Sequence, residues 1–301
     1  MKFIVNPENY TQNYLKYLNE CFSNWGNIEA FDWVINREFD NMNPDFFIIQ
    51  SDQDAVLAGS AISYRNIKFP DNSIQKIGIM TGSWTLPISR GLGCFTASIK
   101  KSSELAAIKN ASFLTAFVTE SNASFRRLKE AGSILIPTNY VISESLNNFN
   151  ATEINEIEIL QNNTENINLL FENRKSLLKN KVHFCYSFDD FTKQFIKRSN
   201  PVFLLKIQND YAIIEETSKM FQLHFSTNYS LKNISKIVNW AHYQEKEIIF
   251  FSTNLDIEIK QSQNFKILDG FFTILPSKNA SPFIADFLNK LKINIDFGDK
   301  M

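Results

Sequence analysis

The chain of 301 residues is longer than the roughly 100–200 residues of a typical domain, so two cores are expected. Its 44% hydrophobic and 21% charged residues are typical of an ordinary globular protein and exclude a disordered chain. The formal net charge of −1, with basic and acidic residues interspersed in both halves, gives no electrostatic footprint for a polyanion such as duplex nucleic acid. Apolar runs are too short to cross a membrane and no leader is recognisable, so we predict a cytoplasmic protein with neither nucleic acid nor membrane as partner.

Cysteine and histidine patterns argue against a disulfide or a metal site. The three cysteines and three histidines are widely separated along the chain: Cys21, Cys94, Cys185, His183, His224 and His242. None of them forms a CxxC pair or another spacing used by zinc ligands. We therefore predict reduced thiols and no bound metal.

Helical and strand patterns alternate through the first 143 residues. A helical start is followed by a hairpin with a polar turn, a strand–turn–helix unit and a strand–helix–strand unit; these patterns fall at 14–22, 45–69, 73–110 and 111–143. This order predicts an α/β (α+β) fold in which helices cover a mixed sheet.

Part of this plan recurs later in the chain. Phe31–Phe46 and Phe188–Phe203 share Phe, Asp, Asn, Pro and Phe at one offset, and "AFVTE" at 116–120 resembles "FFSTN" at 250–254. We also match "LKEAGSILIP" with "KILDGFFTILP". The second copy has a shorter segment before its "SLKNISKIVNWAHYQ" helix. A tandem repeat is favoured, and two unrelated α/β domains remain the alternative.

A tight turn, "WTLPISRGLGCF", connects a strand to the helix that begins near Cys94. Helix N-terminal amides lack intrahelical acceptors and carry the positive end of the helix dipole. Gly91 and Gly93 permit a positive φ and a close approach of a ligand, while Arg90 supplies a fixed charge. The turn therefore predicts a pyrophosphate cradle, although glycine pairs often serve only to turn a chain.

Two common nucleotide motifs do not fit the turn, because it lacks GxxxxGK[ST] and differs from GxGxxG. The order strand–Pro–x–x–Arg–Gly–x–Gly–helix instead resembles the acetyl-CoA site of the GNAT (GCN5-related N-acetyltransferase) superfamily. The following "AFVTESNASFRRLKEAG" is similar to the next strand, turn and helix of that family. The resemblance covers residues 1 to about 143.

The resemblance implies a GNAT-like, mixed and mostly antiparallel sheet flanked by helices. With the repeat, it suggests the two-domain bacterial type: an acetyl-CoA-binding acyltransferase domain at 1–148 and a degenerate GNAT-like domain at 149–301. Acetyl-CoA would be the co-substrate and a small-molecule amine the acceptor.

The family's cofactor contacts can be carried over by position. The resemblance implies that the pyrophosphate is held by the loop and first helical turn: Arg90, Gly91, Leu92, Gly93, Cys94 and Phe95, with Thr96 at the helix start. The thioester carbonyl would lie near the backbone of Trp84, Thr85 and Leu86. Ser124 and Lys129 would border the CoA arm.

Several positions depart from the family pattern. The tyrosine that often protonates the leaving thiolate falls on Leu128, the asparagine of the turn falls on Ser121, and a small loop residue is replaced by Phe95. The departure at Leu128 implies another proton donor, water, or a domain that does not catalyse transfer.

The candidate general base is Glu120, at the end of the strand that borders the opening. A solvated glutamate at a strand end is the alternative interpretation. Asp32 and Glu38, in the region that covers the acceptor side in the family, are second choices; a helix cap and an exposed helix face would also explain them.

These observations favour an acetyl-CoA-dependent N-acyltransferase acting on a small amine, such as an amino sugar or a nucleotide-linked amino sugar. In this hypothesis the second domain helps to enclose the acceptor, because interdomain clefts are common ligand sites. Two other classes stay open: a CoA-binding module whose catalytic apparatus has decayed, and a scaffold for a protein partner.

Overall fold

The computed structural model describes residues 1–144, 156–253, 255–277 and 293–300. The elements of the first half are β1 (Lys2–Val5), α1 (Thr11–Phe22), α2 (Ile28–Phe31), a π-helical segment (Asp32–Asn36), β2 (Asp45–Gln50), β3 (Val56–Lys68), β4 (Ile74–Thr85), a short 3₁₀ helix (Pro87–Ser89), α3 (Cys94–Ile108), β5 (Phe113–Thr119), α4 (Ala123–Glu130) and β6 (Ile134–Ser143).

The second half repeats this order of α-helices, π-helical segment and strands, with two added strands and a 3₁₀ helix at a different place. Its elements are β7 (Ile157–Leu160), α5 (Thr164–Leu178), β8 (Val182–Cys185), α6 (Phe188–Phe191), a π-helical segment (Thr192–Ile196), β9 (Val202–Ile207), β10 (Asp210–Glu216), β11 (Met220–Ser226), α7 (Leu231–Tyr243), β12 (Glu247–Ser252), α8 (Ile257–Gln261), β13 (Phe265–Pro276), β14 (Ile293–Asn294) and a 3₁₀ helix (Phe297–Asp299). The strands β8 and β14 have no counterpart among the first-half elements.

All described strands belong to one sheet. Its main path runs in the order β1-β2-β3-β4-β5-β13-β6-β12-β11-β10-β9-β7, with β8 paired to β3 and β14 paired to β8. Neighbours are antiparallel except at β4–β5, β11–β12 and β14–β8. The predicted mixed, mostly antiparallel sheet flanked by helices is therefore confirmed.

The two halves exchange strands at the centre of this sheet. The second-half strand β13 lies between β5 and β6, and the first-half strand β6 lies between β13 and β12. The predicted boundary between 148 and 149 lies outside the described residues. The sheet of the first half therefore includes a strand that the chain reaches more than a hundred residues later.

Of two internal sequence matches, one joins equivalent elements of the structure and the other does not. Phe31–Phe46 and Phe188–Phe203 each run from a short helix through a π-helical segment toward a strand, so the copies share the same elements. The match of "LKEAGSILIP" with "KILDGFFTILP" is wrong, because the first begins within α4 whereas the second lies wholly within β13. The shared Gly and Pro letters led to a pairing of residues from different elements.

Apolar residues cover both faces of the first-half strands. One cluster includes Phe47 and Ile62 beneath α3, and another includes Tyr14, Ile48 and Trp84 beneath α1. This alternation along β2 and β3 is the period-two pattern of strands buried on both sides. No helix within the described ranges is long and apolar enough to cross a bilayer.

Candidate functional site

A bulge distorts β4 shortly before the strand ends. Gly59 of β3 pairs with Trp84, but Ala61 pairs with Thr81, so β4 contains one residue more than β3 between these pairs. Gly82, within the extra segment, has φ +50°, a value that favours glycine. The hydroxyl of Tyr14 donates a 3.0 Å hydrogen bond to the carbonyl of Gly82. The bulge is thus anchored to α1.

Beyond three paired positions, β4 and β5 separate. Their parallel ladder joins Ile77–Ile79 to Phe113–Thr115 and then stops. Strand β4 nevertheless continues to Thr85 and β5 to Thr119. The separation leaves an opening in the sheet, with β4 on one side and β5 supported by β13 on the other.

The loop after β4 has the conformation that the sequence predicts. Gly91 and Gly93 have φ values of +88° and +79°, and a Cβ built on either glycine meets no heavy atom within 4 Å. The left-handed backbone, rather than internal crowding, therefore explains both glycines. The space next to the loop is open to a ligand.

The N-terminus of α3 presents hydrogen-bond donors. Within the described part of the chain, no oxygen accepts a hydrogen bond from the amides of Gly91, Gly93, Phe95 or Thr96. The glycine at the N-cap has no side chain to supply an acceptor. A helix of 15 residues also directs the positive end of its dipole to this point. These groups together form an anion-binding geometry.

The matching helix of the second half is capped by its own chain. The side chain of Ser230 accepts a hydrogen bond from the amide of Asn233 at the start of α7. Asn228 accepts one from the amide of Ser230, at 3.0 Å. The contrast shows that the open donors of α3 are not a general property of this fold.

The charged and apolar side chains around the loop differ in exposure. Arg90 is exposed and forms no ion pair with a described residue. Leu92 is also exposed, whereas Phe95 is half-buried against the cluster beneath α3. Cys94 is buried, and this burial raises the pKa of its thiol, so a reactive thiolate is not favoured there.

The end of β4 directs only one of the three predicted backbone contacts into the opening. The amide of Leu86 donates to the carbonyl of Leu57, at 3.0 Å, and Trp84 is paired with Gly59. Because amides alternate in direction along a strand, the amide of Thr85 points away from β3 and toward the opening. Of the three amides, only that of Thr85 is therefore free to meet a ligand in the opening, and the contacts of Trp84, Thr85 and Leu86 with a thioester stay predictions.

The ring of Trp84 lies in the core instead of lining the opening. It stacks on Tyr17 at a centroid distance of 4.9 Å and meets Tyr14 edge to face. A Cβ on Gly59 would approach this ring to 2.6 Å, which explains the glycine on the neighbouring strand. Trp84 therefore packs α1 against the sheet.

Helix α4 begins beside the end of β5. Asn122 is its N-cap, and its side chain accepts a hydrogen bond from the amide of Ser124, at 3.1 Å. Ser124 is half-buried and Lys129 is exposed. Leu128 points into the apolar cluster beneath α3. The leucine at the usual tyrosine position is thus a core residue.

The candidate bases lie in different surroundings. Glu120 is exposed, and its amide donates to the carbonyl of Asp269 on β13, at 3.5 Å. Asp32 accepts a 2.7 Å hydrogen bond from the side-chain amide of Asn36. Glu38 lines a cavity of about 180 Å³ with residues of the second half, including Asp190. Of the three, only Glu120 directly follows a strand that borders the opening.

Glu120 and Thr85 lie at a similar level along the opening. The last pair between β4 and β5 joins Ile79 to Thr115; Thr85 is six residues beyond Ile79, and Glu120 is five residues beyond Thr115. Parallel strands advance by about 3.3 Å per residue, so both residues are displaced along the strands by similar amounts. They flank the same part of the opening.

Sequence reasoning missed the bulge and the contribution of β13. The glycine inside the β-prone segment "IMTGSW" was a signal for the bulge, because glycine in a strand often marks one. The pairing of β13 with β5 had no sequence signal. It brings Phe271 into a stack with Phe125 of α4, at 4.7 Å between ring centroids.

Comparison with known proteins supports this architecture. No protein-family model and no curated protein matches the chain. A GCN5-related N-acetyltransferase from Kribbella flavida is similar in structure, with a TM-score of 0.59 and 10% identity over 90% of this chain and 70% of that chain. A putative acetyltransferase from Pyrococcus horikoshii has a TM-score of 0.62 and 11% identity over 99% of this chain and 96% of that chain.

A third similar structure is the GCN5-related glucosamine N-acetyltransferase region of a fungal multi-domain β-N-acetylglucosaminidase. Its TM-score is 0.60, with 10% identity over 91% of this chain and 38% of that chain. Identities this low establish the fold alone. The chain therefore has the fold of the GCN5-related N-acetyltransferases, as the loop and strand motifs predicted.

Proposed function

We propose that the protein is an acetyl-CoA-dependent N-acyltransferase and that its first half binds the coenzyme. The observation that carries this proposal is the open N-terminus of α3, where the amides of Gly91, Gly93, Phe95 and Thr96 lack acceptors among the described residues. A pyrophosphate supplies the oxygens and the negative charge that this position favours. The exposed guanidinium of Arg90 adds a charge-assisted contact.

The separated ends of β4 and β5 would receive the pantetheine arm. In this arrangement the amide of Thr85 donates to the thioester carbonyl oxygen. A donor at that oxygen stabilises the charge that develops when the carbonyl carbon is attacked. Ser124 and Lys129 of α4 would border the arm on the β5 side.

The transfer requires a neutral amine next to the thioester. The amine nitrogen attacks the carbonyl carbon, the carbon–sulfur bond breaks, and the acetyl group forms an amide. The amine loses one proton, and the leaving CoA thiolate takes one proton from solvent or an acid. Glu120 is the proposed base, directly or through a water molecule, because it lies level with Thr85 across the opening.

The acceptor that we propose is a small amine, with an amino sugar as the first class to test. The similarity to a structure described as a glucosamine N-acetyltransferase region supports this choice. We also propose that residues 149–301 act as a degenerate GNAT-like domain that completes the site, which the pairing of β13 with β5 supports.

The proposal is tested by following CoA thiol release from acetyl-CoA with a panel of amines that includes glucosamine. We expect amine-dependent release by the native chain. Arg90→Glu should raise KM for acetyl-CoA at least tenfold, because an arginine–phosphate contact contributes roughly 1.5–3 kcal/mol. Lys175→Glu is the matched control, since Lys175 is an exposed cation on α5, pairs with Glu172 and makes the same change of charge away from the proposed site. Equal effects of the two variants would contradict the loop assignment.

A second candidate function is a CoA-binding module without transferase activity. The buried Leu128 favours it, because no tyrosine occupies that position to protonate the thiolate. This candidate predicts binding of acetyl-CoA that depends on Arg90, with no thiol release for any amine. A scaffold for a protein partner would show neither binding of acetyl-CoA nor thiol release.

A further inference from the structure

The second half contains its own strand opening. Strands β11 and β12 pair at Met220–Gln222 and Glu247–Ile249 and then separate, as β4 and β5 do. A bulge also occurs there, because Ile213 pairs with Phe225 whereas Ile214 pairs with Leu223. His224 is the extra residue. Each half therefore has a bulged strand beside an opening.

The C-terminal segment, defined as Ile293–Asp299, occupies this second opening. The ring of Phe297 lies 5.7 Å from that of His224 on β11 and 5.5 Å from that of Phe251 on β12, measured between centroids. Phe297 thus contacts both strands beyond Gln222 and Ile249, the last residues that pair β11 with β12. The amide of Ile295 also donates to the hydroxyl of Thr253, just after β12, at 3.4 Å.

The fit around Gly298 is tight. A Cβ on this glycine would overlap the ring of Phe195 and lie 3.0 Å from Cβ of His224. The side-chain amide of Gln194, in the second π-helical segment, donates to the carbonyl of Gly298, at 2.5 Å. Only glycine fits between the π-helical segment and β11 without displacing a neighbour.

Buried charges hold the two ends of the short 3₁₀ helix. Arg174 of α5 donates to Asp296 at 3.0 Å and to both carboxylate oxygens of Asp299 at 3.0 and 3.1 Å. Tyr186 donates to Asp299 and Tyr229 donates to Asp296. Arg174, Asp296, Asp299 and Tyr186 are buried and Tyr229 is half-buried, so loss of Arg174 would leave two buried carboxylates without their charged partner.

We propose that the second opening is a peptide-binding site whose ligand is the chain's own C-terminal segment. Three features of the segment are recognised there. The ring of Phe297 lies between the separated strands, Gly298 packs against the π-helical segment, and the carboxylates of Asp296 and Asp299 bind Arg174. The same segment occupies the space that a coenzyme arm would need between β11 and β12. The self-capped N-terminus of α7 provides no open anion site beside it. Given the proposed function, the strands that the structure describes then leave one opening for the coenzyme, the one between β4 and β5.

Accessibility of His224 tests this inference in the full chain. The imidazole is fully buried, and its Nε2 lies 2.8 Å from the carboxylate of Glu215. Diethyl pyrocarbonate modifies accessible neutral imidazoles, and mass spectrometry can compare His224 with the half-buried His242. We expect His224 to be protected in the native protein and modified at least tenfold faster in Phe297→Ala.

Phe265→Ala is the matched control. Its ring is as buried as that of Phe297, at 8% and 7% exposure, but it packs in the cluster beneath α7. His224 should remain protected from modification in this variant. The modification rates of the two variants are compared under conditions in which equal fractions of both are folded. Rapid modification of His224 in the native protein, or equal modification in both variants, would overturn the inference.

Two measurements on the native protein do not depend on any variant folding. Hydrogen exchange should protect the amides of Ile293–Asp299 as strongly as those of β11, and exchange as fast as in exposed loops would overturn the inference. Calorimetric titration with CoA should give one site per chain, and two sites would overturn it. If no CoA binds, the proposed function fails. The inference about the second opening is then still decided by hydrogen exchange and by the modification rate of His224.

Discussion

Gly270 of β13 lies directly opposite Thr119 of β5, and the antiparallel pairing continues to Pro276 opposite Phe113. The second half of the chain thus supports the whole length of a strand that borders the proposed coenzyme opening. The adjacent Phe271 stacks on Phe125 and so also contacts the helix that borders the opening. The site of the first half is built with residues from both halves.

This strand exchange predicts that residues 1–148 do not fold alone. The fragment lacks β13, the strand that pairs with both β5 and β6, so it leaves those edges without a partner and exposes their apolar residues. We expect no cooperative thermal transition by circular dichroism, in contrast to the full chain. A sharp transition in the fragment, with the secondary structure of the native first half, would contradict the prediction.

The left-handed conformation of Gly93 predicts a selective effect of substitution. Gly93→Val should lower the free energy of unfolding by roughly 1–2 kcal/mol, because a β-branched residue is strained at positive φ. Gly93→Asn is the control, since asparagine tolerates that region. Urea unfolding measures the difference, and equal stability of the two variants would argue against the φ of +79°.

Glu120→Gln tests the proposed general base. We expect kcat to fall by about 10²–10⁴ with little change in KM for acetyl-CoA, because the amide cannot accept the proton of the amine. Asp32→Asn and Glu38→Gln are the comparison variants and should retain activity. If either of them loses activity while Glu120→Gln does not, the base has been assigned to the wrong residue.

The buried His224 predicts loss of stability in mild acid. Burial, followed by the charge of Arg198, lowers the pKa of His224 from its ordinary 6.5 to about 4, despite the hydrogen bond to Glu215. Between these values the unfolded chain binds the proton and the native chain does not, so stability falls as the pH falls from about 6.5 to 4. A shift of this size corresponds to about 2 kcal/mol between pH 7 and pH 5.

The variant His224→Gln isolates this contribution. Glutamine keeps a hydrogen-bond donor for Glu215 but does not titrate. The fall in free energy of unfolding between pH 7 and pH 5 should therefore be about 2 kcal/mol smaller in the variant than in the native protein. Identical pH dependence would show that His224 is not held neutral in the native protein.

Local patterns were sufficient to predict the elements around the site. The glycines at 91 and 93, the proline at 87 and the helical periodicity after Cys94 gave the loop and α3, which the structure confirms. Backbone direction was harder to predict. The amides of Trp84 and Leu86 point toward β3 because the bulge at Gly82 determines which residues of β4 face that strand. A single glycine in the sequence does not show which residues those are.

Long-range pairing could not be predicted from the sequence. Strand β13 lies between β5 and β6, but several other apolar strands have the same alternation of buried side chains. That pattern alone does not show which of them pairs with β5. The buried contacts of Arg174 with Asp296 and Asp299 join residues more than a hundred positions apart, and isolated charges near a chain end normally indicate solvent exposure.

The central claim is that the amides of the loop at α3 bind the coenzyme's pyrophosphate. Nuclear magnetic resonance of protein labelled with [¹⁵N]glycine tests it directly, because the chain has nine glycines and two of them lie in the loop. On addition of CoA, we expect the amide signals of Gly91 and Gly93 to shift strongly, and those of Gly26 and Gly298 to stay in place. Unchanged loop signals at saturating CoA would contradict the account.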